Sequence, residues 1–135
     1  MSLKFQVSNF RFPASILTGV LLFLSFPPFQ ITFCGWIALI PLMFACAGVR
    51  ARRAALLGWI AGVVFFVSTL YWLRNVTIAG GFFLSLYCAL YLIPFAIFIS
   101  LRRDNWRSAS GIKNILWAAG AAAVWSASEY VRGNF

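Results

Sequence analysis

The sequence of 135 residues has no histidine and only two acidic residues, Asp104 and Glu129. Histidine, the commonest general base of enzymes, is therefore not available to this chain. Charged residues make up 10% of the sequence, whereas a soluble domain has roughly 25%. Hydrophobic residues make up 63%, and a soluble fold of this size could not bury so much apolar surface. The composition favours a protein whose solvent is lipid.

Cysteine is scarce as well, with only Cys34, Cys46 and Cys88 in the chain. They are odd in number, widely spaced and embedded in apolar sequence, and no CxxC pair occurs. We interpret them as small apolar packing residues. The sequence predicts no metal site, no cofactor and no catalytic residue of its own.

The net charge of +9 raises the question of a nucleic-acid partner, because lysine and arginine neutralise phosphates. The basic residues, however, lie in short gaps between apolar runs and not along one polar face. This distribution argues against nucleic acid. The expected partner is a lipid bilayer.

Five apolar segments approach the roughly 20 residues that a helix needs to cross a bilayer. They span residues 12–26, 31–49, 54–73, 82–101 and 115–131. Backbone amides in hydrocarbon must be paired within their own segment, which predicts helices. The expected fold is an all-α integral membrane protein with about five transmembrane helices, forming one membrane region over residues 1–135. Pro41 and Pro94 should kink the second and fourth helices.

The basic residues also predict an orientation, because lysine and arginine prefer cytoplasmic loops. Arg74 is the only basic residue between the third and fourth segments, and the gap after the first has none. Apart from Arg132 after segment five, the other basic residues lie before segment one or in the second and fourth gaps: Lys4, Arg11, Arg50, Arg52, Arg53, Arg102, Arg103, Arg107 and Lys113. The amino terminus is therefore expected in the cytoplasm and the carboxyl terminus outside.

Small residues recur within two of the segments. Gly58 and Gly62 form a GxxxG pattern that lets a neighbouring helix approach closely, although chance or routine packing explains it equally well. The run Ala118–Ala123 gives the fifth segment a small-residue face suited to helix packing.

The most polar point of any segment lies near the end of the fifth. Helical spacing places Trp125, Ser128, Glu129 and Arg132 on one face, where the carboxylate and the guanidinium can pair. Trp125, Glu129 and Arg132 are our candidates for a substrate-binding site at the outer membrane surface, holding a lipid headgroup or a loop. An interfacial ion pair that ends the helix, with Gly133 as its C-cap, is an equally open interpretation.

Four stretches stand out together along the chain: Leu24–Phe29 (LSFPPF), Gly35–Leu42 (GWIALIPL), Gly58–Leu73 and Trp125–Gly133 (WSASEYVRG). They resemble the amino-terminal part of bacterial apolipoprotein N-acyltransferase. Their order and spacing cover nearly the whole chain. The resemblance implies a multi-pass protein of the bacterial cytoplasmic (inner) membrane, with phospholipid and lipoprotein as substrates.

The resemblance also implies a bundle of about eight helices carrying a nitrilase-like domain. In this family, a Glu-Lys-Cys triad in that domain moves an acyl chain from phospholipid to the amino group of a lipoprotein. No residue of this sequence matches a triad member. We therefore expect the membrane-anchor part of an acyltransferase-like protein, a fragment that is inactive alone, with the catalytic half supplied separately.

Two other interpretations belong to different functional classes. A small multi-span subunit or scaffold without enzymatic activity suits the GxxxG pattern and the missing catalytic groups. A transporter or channel needs polar residues along a pathway, and segments one to four offer only serine, threonine and cysteine in their interiors. The sequence disfavours that third interpretation.

Overall fold

The computed structural model describes residues 2–27, 29–102 and 111–134, and every regular element in these ranges is helical. This confirms the predicted all-α class. The helices are α1 (Ser2–Ser25), α2 (Thr32–Ile37), α3 (Ile40–Cys46), α4 (Ala51–Thr69), α5 (Ile78–Ala89), α6 (Ile93–Ser100) and α7 (Gly111–Asn134). A short 3-10 turn, Tyr71–Asn75, follows α4, and another, Leu90–Leu92, follows α5.

Two helices in the described ranges are long and apolar enough to cross a membrane. They are α4 and the helical stretch Ile78–Ser100, which contains α5 and α6. The stretches Phe10–Ser25 and Thr32–Cys46 are apolar but shorter. These elements correspond to the first four predicted segments, and α7 contains the fifth. Residues 103–110, with the predicted loop cations Arg103 and Arg107, lie outside the described part of the chain.

The regular helix is interrupted just before each of the two prolines, Pro41 and Pro94, at which the sequence predicts a kink. α2 ends at Ile37, and α3 begins at Ile40 with Pro41 in its first turn. Pro94 likewise lies in the first turn of α6, directly after a 3-10 turn. Proline has no N–H to donate and its ring clashes with the preceding turn, so a regular helix is interrupted just before it.

The first helix is longer than predicted, since α1 begins at Ser2 and includes Pro13. After it the chain reverses in a tight turn. The Ile31 amide donates to the Leu24 carbonyl at 3.1 Å, and Gln30 adopts a left-handed conformation with φ of 50°. Left-handed backbone is unfavourable for a residue with a Cβ, so this turn is locally strained.

The GxxxG pattern of α4 is a packing surface within the chain. A Cβ on Gly58 would lie 2.6 Å from the Ala96 Cβ, and one on Gly62 would lie 2.8 Å from the Ala89 Cα. Real Cβ atoms do not approach so closely, so glycine is what allows the two backbones to touch. α4 therefore packs antiparallel against the stretch that contains α5 and α6.

On its other side α4 contacts α1 just as closely. A Cβ on Gly19 would lie 2.7 Å from both the Ala61 carbonyl oxygen and the Val64 Cβ. Phe26, just after α1, places its ring centroid 5.3 Å from that of Phe65 near the end of α4. α1 and α4 therefore run parallel, and α4 lies at the centre of the bundle.

The surface of the bundle is unlike that of a soluble protein, whereas the described interior is apolar apart from a few small hydroxyl residues. Large apolar side chains point outward, for example Trp36 at 82% and Phe33 at 72% exposure. Small hydroxyl residues are buried, and each donates to a carbonyl of its own helix at 2.7–3.1 Å. They are Ser15, Thr18, Ser85, Ser100 and Ser128. Small residues inside and large apolar residues outside are typical of helix packing in lipid.

The contact between Gly62 and Ala89 predicts a sharp difference between two glycine substitutions. Gly62→Ala should lower the free energy of unfolding by about 1–3 kcal/mol, because the added methyl forces two backbones apart. Gly133→Ala is the matched control, since no atom lies within 4 Å of its added Cβ. It should leave stability unchanged or raise it by up to about 1 kcal/mol through helix propensity.

Unfolding of both variants would be followed by circular dichroism during titration of mixed micelles with SDS. Equal stability of Gly62→Ala and the unsubstituted chain would contradict the close approach of α4.

Candidate functional site

The inward face of α7 carries the polar residues that the sequence places together. Ser128 is buried and Trp125, Glu129 and Arg132 are partly buried, whereas Tyr130 is 73% exposed. Arg132 forms an ion pair with Glu129, and about one third of each side chain remains exposed. α7 continues helically through residue 133 to its end at residue 134, so the proposed glycine C-cap is not observed.

Arg132 reaches beyond its own helix. Its guanidinium carbon lies 5.5 Å from the ring centroid of Phe66, near the end of α4. A cation over an aromatic face is attracted by the ring quadrupole. We call Phe66, Glu129 and Arg132 the Arg132 cluster.

The Arg132 cluster has hydrogen-bonding capacity to spare. The Nε of Arg132 is buried and has no hydrogen-bond partner among the described residues. The cluster can therefore donate to an acceptor oxygen, such as those of a phosphate or a carboxyl group.

Trp125 lies further from the carboxyl-terminal end of α7 than the Glu129–Arg132 ion pair does. Its ring packs edge-on against Phe95, with centroids 5.5 Å apart. Arg132 follows seven positions later, roughly 10 Å further along the helix axis at 1.5 Å per residue. The structure thus separates the three predicted site residues: Glu129 and Arg132 belong to the cluster, whereas Trp125 borders a groove.

This groove has a volume of about 720 Å³ and lies between α7 and the α2–α3 pair. That volume falls within the roughly 300–1,000 Å³ typical of small-molecule sites. The lining is largely apolar. It consists of Ser25, Thr32, Gly35, Trp36, Leu39, Ile40, Met43, Phe95, Ala118, Ala121, Ala122, Trp125 and Ser126. We call it the α7 groove.

Small residues of α7 create this space. Ala118, Ala121 and Ala122 form one wall and leave room that larger side chains would fill. The polar groups are neutral hydroxyls, and the Ser25 hydroxyl is already bonded to the Leu22 carbonyl at 2.7 Å. None of the lining residues is acidic or basic. The α7 groove therefore suits an apolar chain, and its lining offers no acid or base for catalysis.

Sequence reasoning identified only part of the groove. It singled out the small-residue face of α7 and Trp125 but not Thr32, Trp36 or Met43 of the facing helices. The sequence contained one further signal for the groove. This was the small face of α7 taken together with the break at Pro41 that separates α2 from α3.

Within the described ranges, no three histidine, cysteine or acidic residues come together. Cys34, Cys46 and Cys88 are free thiols. Cys46 is buried and its Sγ lies 4.0 Å from the Ala54 carbonyl oxygen, a packing position between α3 and α4.

The class of protein follows from these features. An all-helical fold, two helices long enough to span a bilayer, outward-facing aromatic residues and an apolar groove indicate a helical membrane protein.

Comparison with known proteins narrows this class to one family. Residues 18–135 match the family described as apolipoprotein N-acyltransferase N-terminal domain, and the chain belongs to that family. Over 67 residues it is 40% identical to the apolipoprotein N-acyltransferase of Geobacter metallireducens. The matched stretch covers 50% of this chain and 13% of that relative. No solved structure matches the chain.

The shape of the α7 groove predicts which α7 positions a lipid chain contacts. A phospholipid carrying a diazirine on its acyl chain should crosslink to the peptide that contains Ala118 and Ala122. Ala122→Phe should reduce this crosslink severalfold by filling the groove. Ala119→Phe, equally exposed but outside the lining, should leave it unchanged. The measurement is mass spectrometry of the crosslinked peptides, and equal effects of both variants would contradict a lipid-binding groove.

Proposed function

We propose that this chain is the membrane part of an apolipoprotein N-acyltransferase and that it binds the phospholipid acyl donor. The observation that carries the proposal is the family match over residues 18–135. The α7 groove and the Arg132 cluster support it, because together they offer what a phospholipid requires, an apolar channel and hydrogen-bond donors.

One end of the groove approaches the end of the bundle that holds the cluster. Ser25 lines the groove, and Phe26 beside it packs on Phe65. Phe65 in turn contacts Phe66, whose ring lies under Arg132. An acyl chain in the groove would thus place its polar end on the side where the cluster donates hydrogen bonds. We assign the acyl chain to the α7 groove, with Trp125 at its wall, and the phosphate to Arg132.

In this proposal Glu129 orients Arg132 and moderates its charge. The ion pair holds the guanidinium in place, and a bound phosphate would accept from its remaining N–H groups. Charge-assisted hydrogen bonds of this kind are roughly twice as strong as neutral ones. Binding and positioning of lipid are the steps that these residues can perform.

Acyl transfer itself needs groups that this sequence does not offer. The resemblance implies a Glu-Lys-Cys triad, and no residue among the 135 matches it. The chain should therefore be inactive when expressed by itself and should act together with a catalytic nitrilase-like domain.

We further propose a multi-pass arrangement in the bacterial inner membrane, with five spans and the amino terminus in the cytoplasm. Support comes from the distribution of charge along the helices. Arg50, Arg52 and Arg53 stand at the beginning of α4, whereas Arg132 approaches Phe66 near the end of α4. An excess of arginine at one end marks the cytoplasmic side.

A chimera tests the enzymatic proposal. Residues 1–135 would replace the corresponding part of the Geobacter metallireducens relative in a bacterium depleted of its own N-acyltransferase. Mass spectrometry of lipoprotein amino termini should show restored N-acylation, whereas this chain expressed alone should restore none. A chimera that folds and enters the membrane without restoring acylation would contradict the proposal.

Within the chimera, Arg132→Gln should lower the rate of acylation by about tenfold or more, since one charge-assisted hydrogen bond contributes about 1.5–3 kcal/mol. Tyr130→Phe is the control on the same helical turn, because Tyr130 points away from the bundle. Equal acylation rates for the two variants would contradict a role of Arg132 in binding the lipid.

Thiol labelling tests the orientation. In a chain with Cys34, Cys46 and Cys88 replaced by alanine, Asn134→Cys should react with a membrane-impermeant maleimide in intact cells. Arg52→Cys should react only after permeabilisation. Labelling of Arg52→Cys in intact cells would reverse the proposed topology.

One observation favours the alternative of a non-enzymatic subunit. α7 exposes Ala119, Ala123 and Ala127 at intervals of four residues, a face on which another helix can pack closely. If the chimera stays inactive while the chain copurifies with another membrane protein at fixed stoichiometry, this alternative replaces the first.

A further inference from the structure

The end of the bundle opposite the Arg132 cluster gathers positive charge. Because α4 packs antiparallel to α6, with Gly58 facing Ala96 and Gly62 facing Ala89, the beginning of α4 lies beside the end of α6. We call this the basic end. It includes Arg11, Arg50, Arg52, Arg53, Arg102 and Lys113.

α7 begins at the basic end because Arg102 holds it there. The Arg102 guanidinium carbon lies 4.8 Å from the ring centroid of Trp117, and the guanidinium donates to the Asn114 side-chain oxygen. The ring of Phe98 in α6 stacks on the same Trp117 ring, with 5.9 Å between the two centroids. Lys113, exposed on the first turn of α7, directly precedes Asn114 and so belongs to the same end of the bundle.

Arg11 of α1 lies at the same end, because α1 runs parallel to α4 and Gly19, eight positions after Arg11, faces Ala61. The three α4 arginines, at positions 50, 52 and 53, are all exposed. The basic end therefore combines cations from four helices or their flanks on one surface.

No acidic residue offsets this charge within the described residues. Glu129 lies at the opposite end in its pair with Arg132, and Asp104 is outside the described ranges. Clustered cations attract anionic lipid headgroups strongly at a membrane surface. We propose that the basic end binds the phosphodiester groups of anionic phospholipids in the leaflet it faces.

This inference rests on the proposed membrane placement but not on acyl transfer. The lipid concerned is a different one from the proposed acyl donor, because it is bound at the opposite end of the bundle and through charge. In this proposal the basic end keeps a ring of anionic lipids around the helices that carry the arginines.

Fluorescence quenching tests the proposal. The purified chain would be reconstituted in phosphatidylcholine vesicles containing either brominated phosphatidylglycerol or brominated phosphatidylcholine, and tryptophan quenching would give their relative binding constant. We expect a preference for phosphatidylglycerol of about fivefold or more, the factor that a single well-placed cation supplies. The preference should approach one in 1 M salt, where the Debye length is about 3 Å.

Matched variants test whether the arginines at the beginning of α4 cause the preference for phosphatidylglycerol. The triple variant Arg50→Gln, Arg52→Gln and Arg53→Gln should lose most of the preference, whereas the corresponding triple lysine variant should keep it. Inorganic phosphate in the buffer should not displace the lipid, because it lacks the membrane surface that concentrates headgroups.

Equal binding of the two lipids by the unsubstituted chain would overturn the proposal. So would a preference that persists in the glutamine variant or in 1 M salt. An inactive chimera would leave this measurement unaffected, so the two proposals fail separately.

Discussion

The rest of the structure depends on the close approach of backbones along α4. Lipid is as apolar as leucine, so burying apolar surface does not by itself hold helices together in a membrane. Dispersion contacts between helices must hold them together, and a gap of about 0.5–1 Å already removes a quarter to a half of this attraction. Gly19, Gly58 and Gly62 permit that range on two sides of α4. Every other helix is then positioned, directly or through a neighbour, by how α4 packs.

The helices were predictable because a hydrocarbon environment leaves few choices. Apolar runs without alternation specify helices, and Pro41 and Pro94 mark their interruptions whatever surrounds them. The shared face of Glu129 and Arg132 follows from helical spacing alone. By contrast, the extension of α1 to Ser2 crosses polar sequence that no apolar pattern signals.

The α7 groove could be predicted only in part, for a different physical reason. Its lining comes from three stretches of chain that are distant in sequence, residues 25–43, 95 and 118–126, and its volume depends on how far α2 and α3 lie from α7. A sequence pattern reports which face of one helix is small, but not what stands opposite. The same holds for Arg132, whose partner Phe66 lies 66 residues earlier and was invisible to any local spacing rule.

The buried hydroxyls have a consequence for how such a protein is assembled. Each of the five donates to a carbonyl within its own helix, so none waits for a neighbouring helix to complete its bonding. A helix that has just left the translocation machinery is thus already satisfied in lipid and incurs no penalty while its neighbours are still being synthesised. Helix docking becomes a second, separate step, governed by shape instead of polarity. Errors in assembly should accordingly appear as helices that insert correctly but fail to associate.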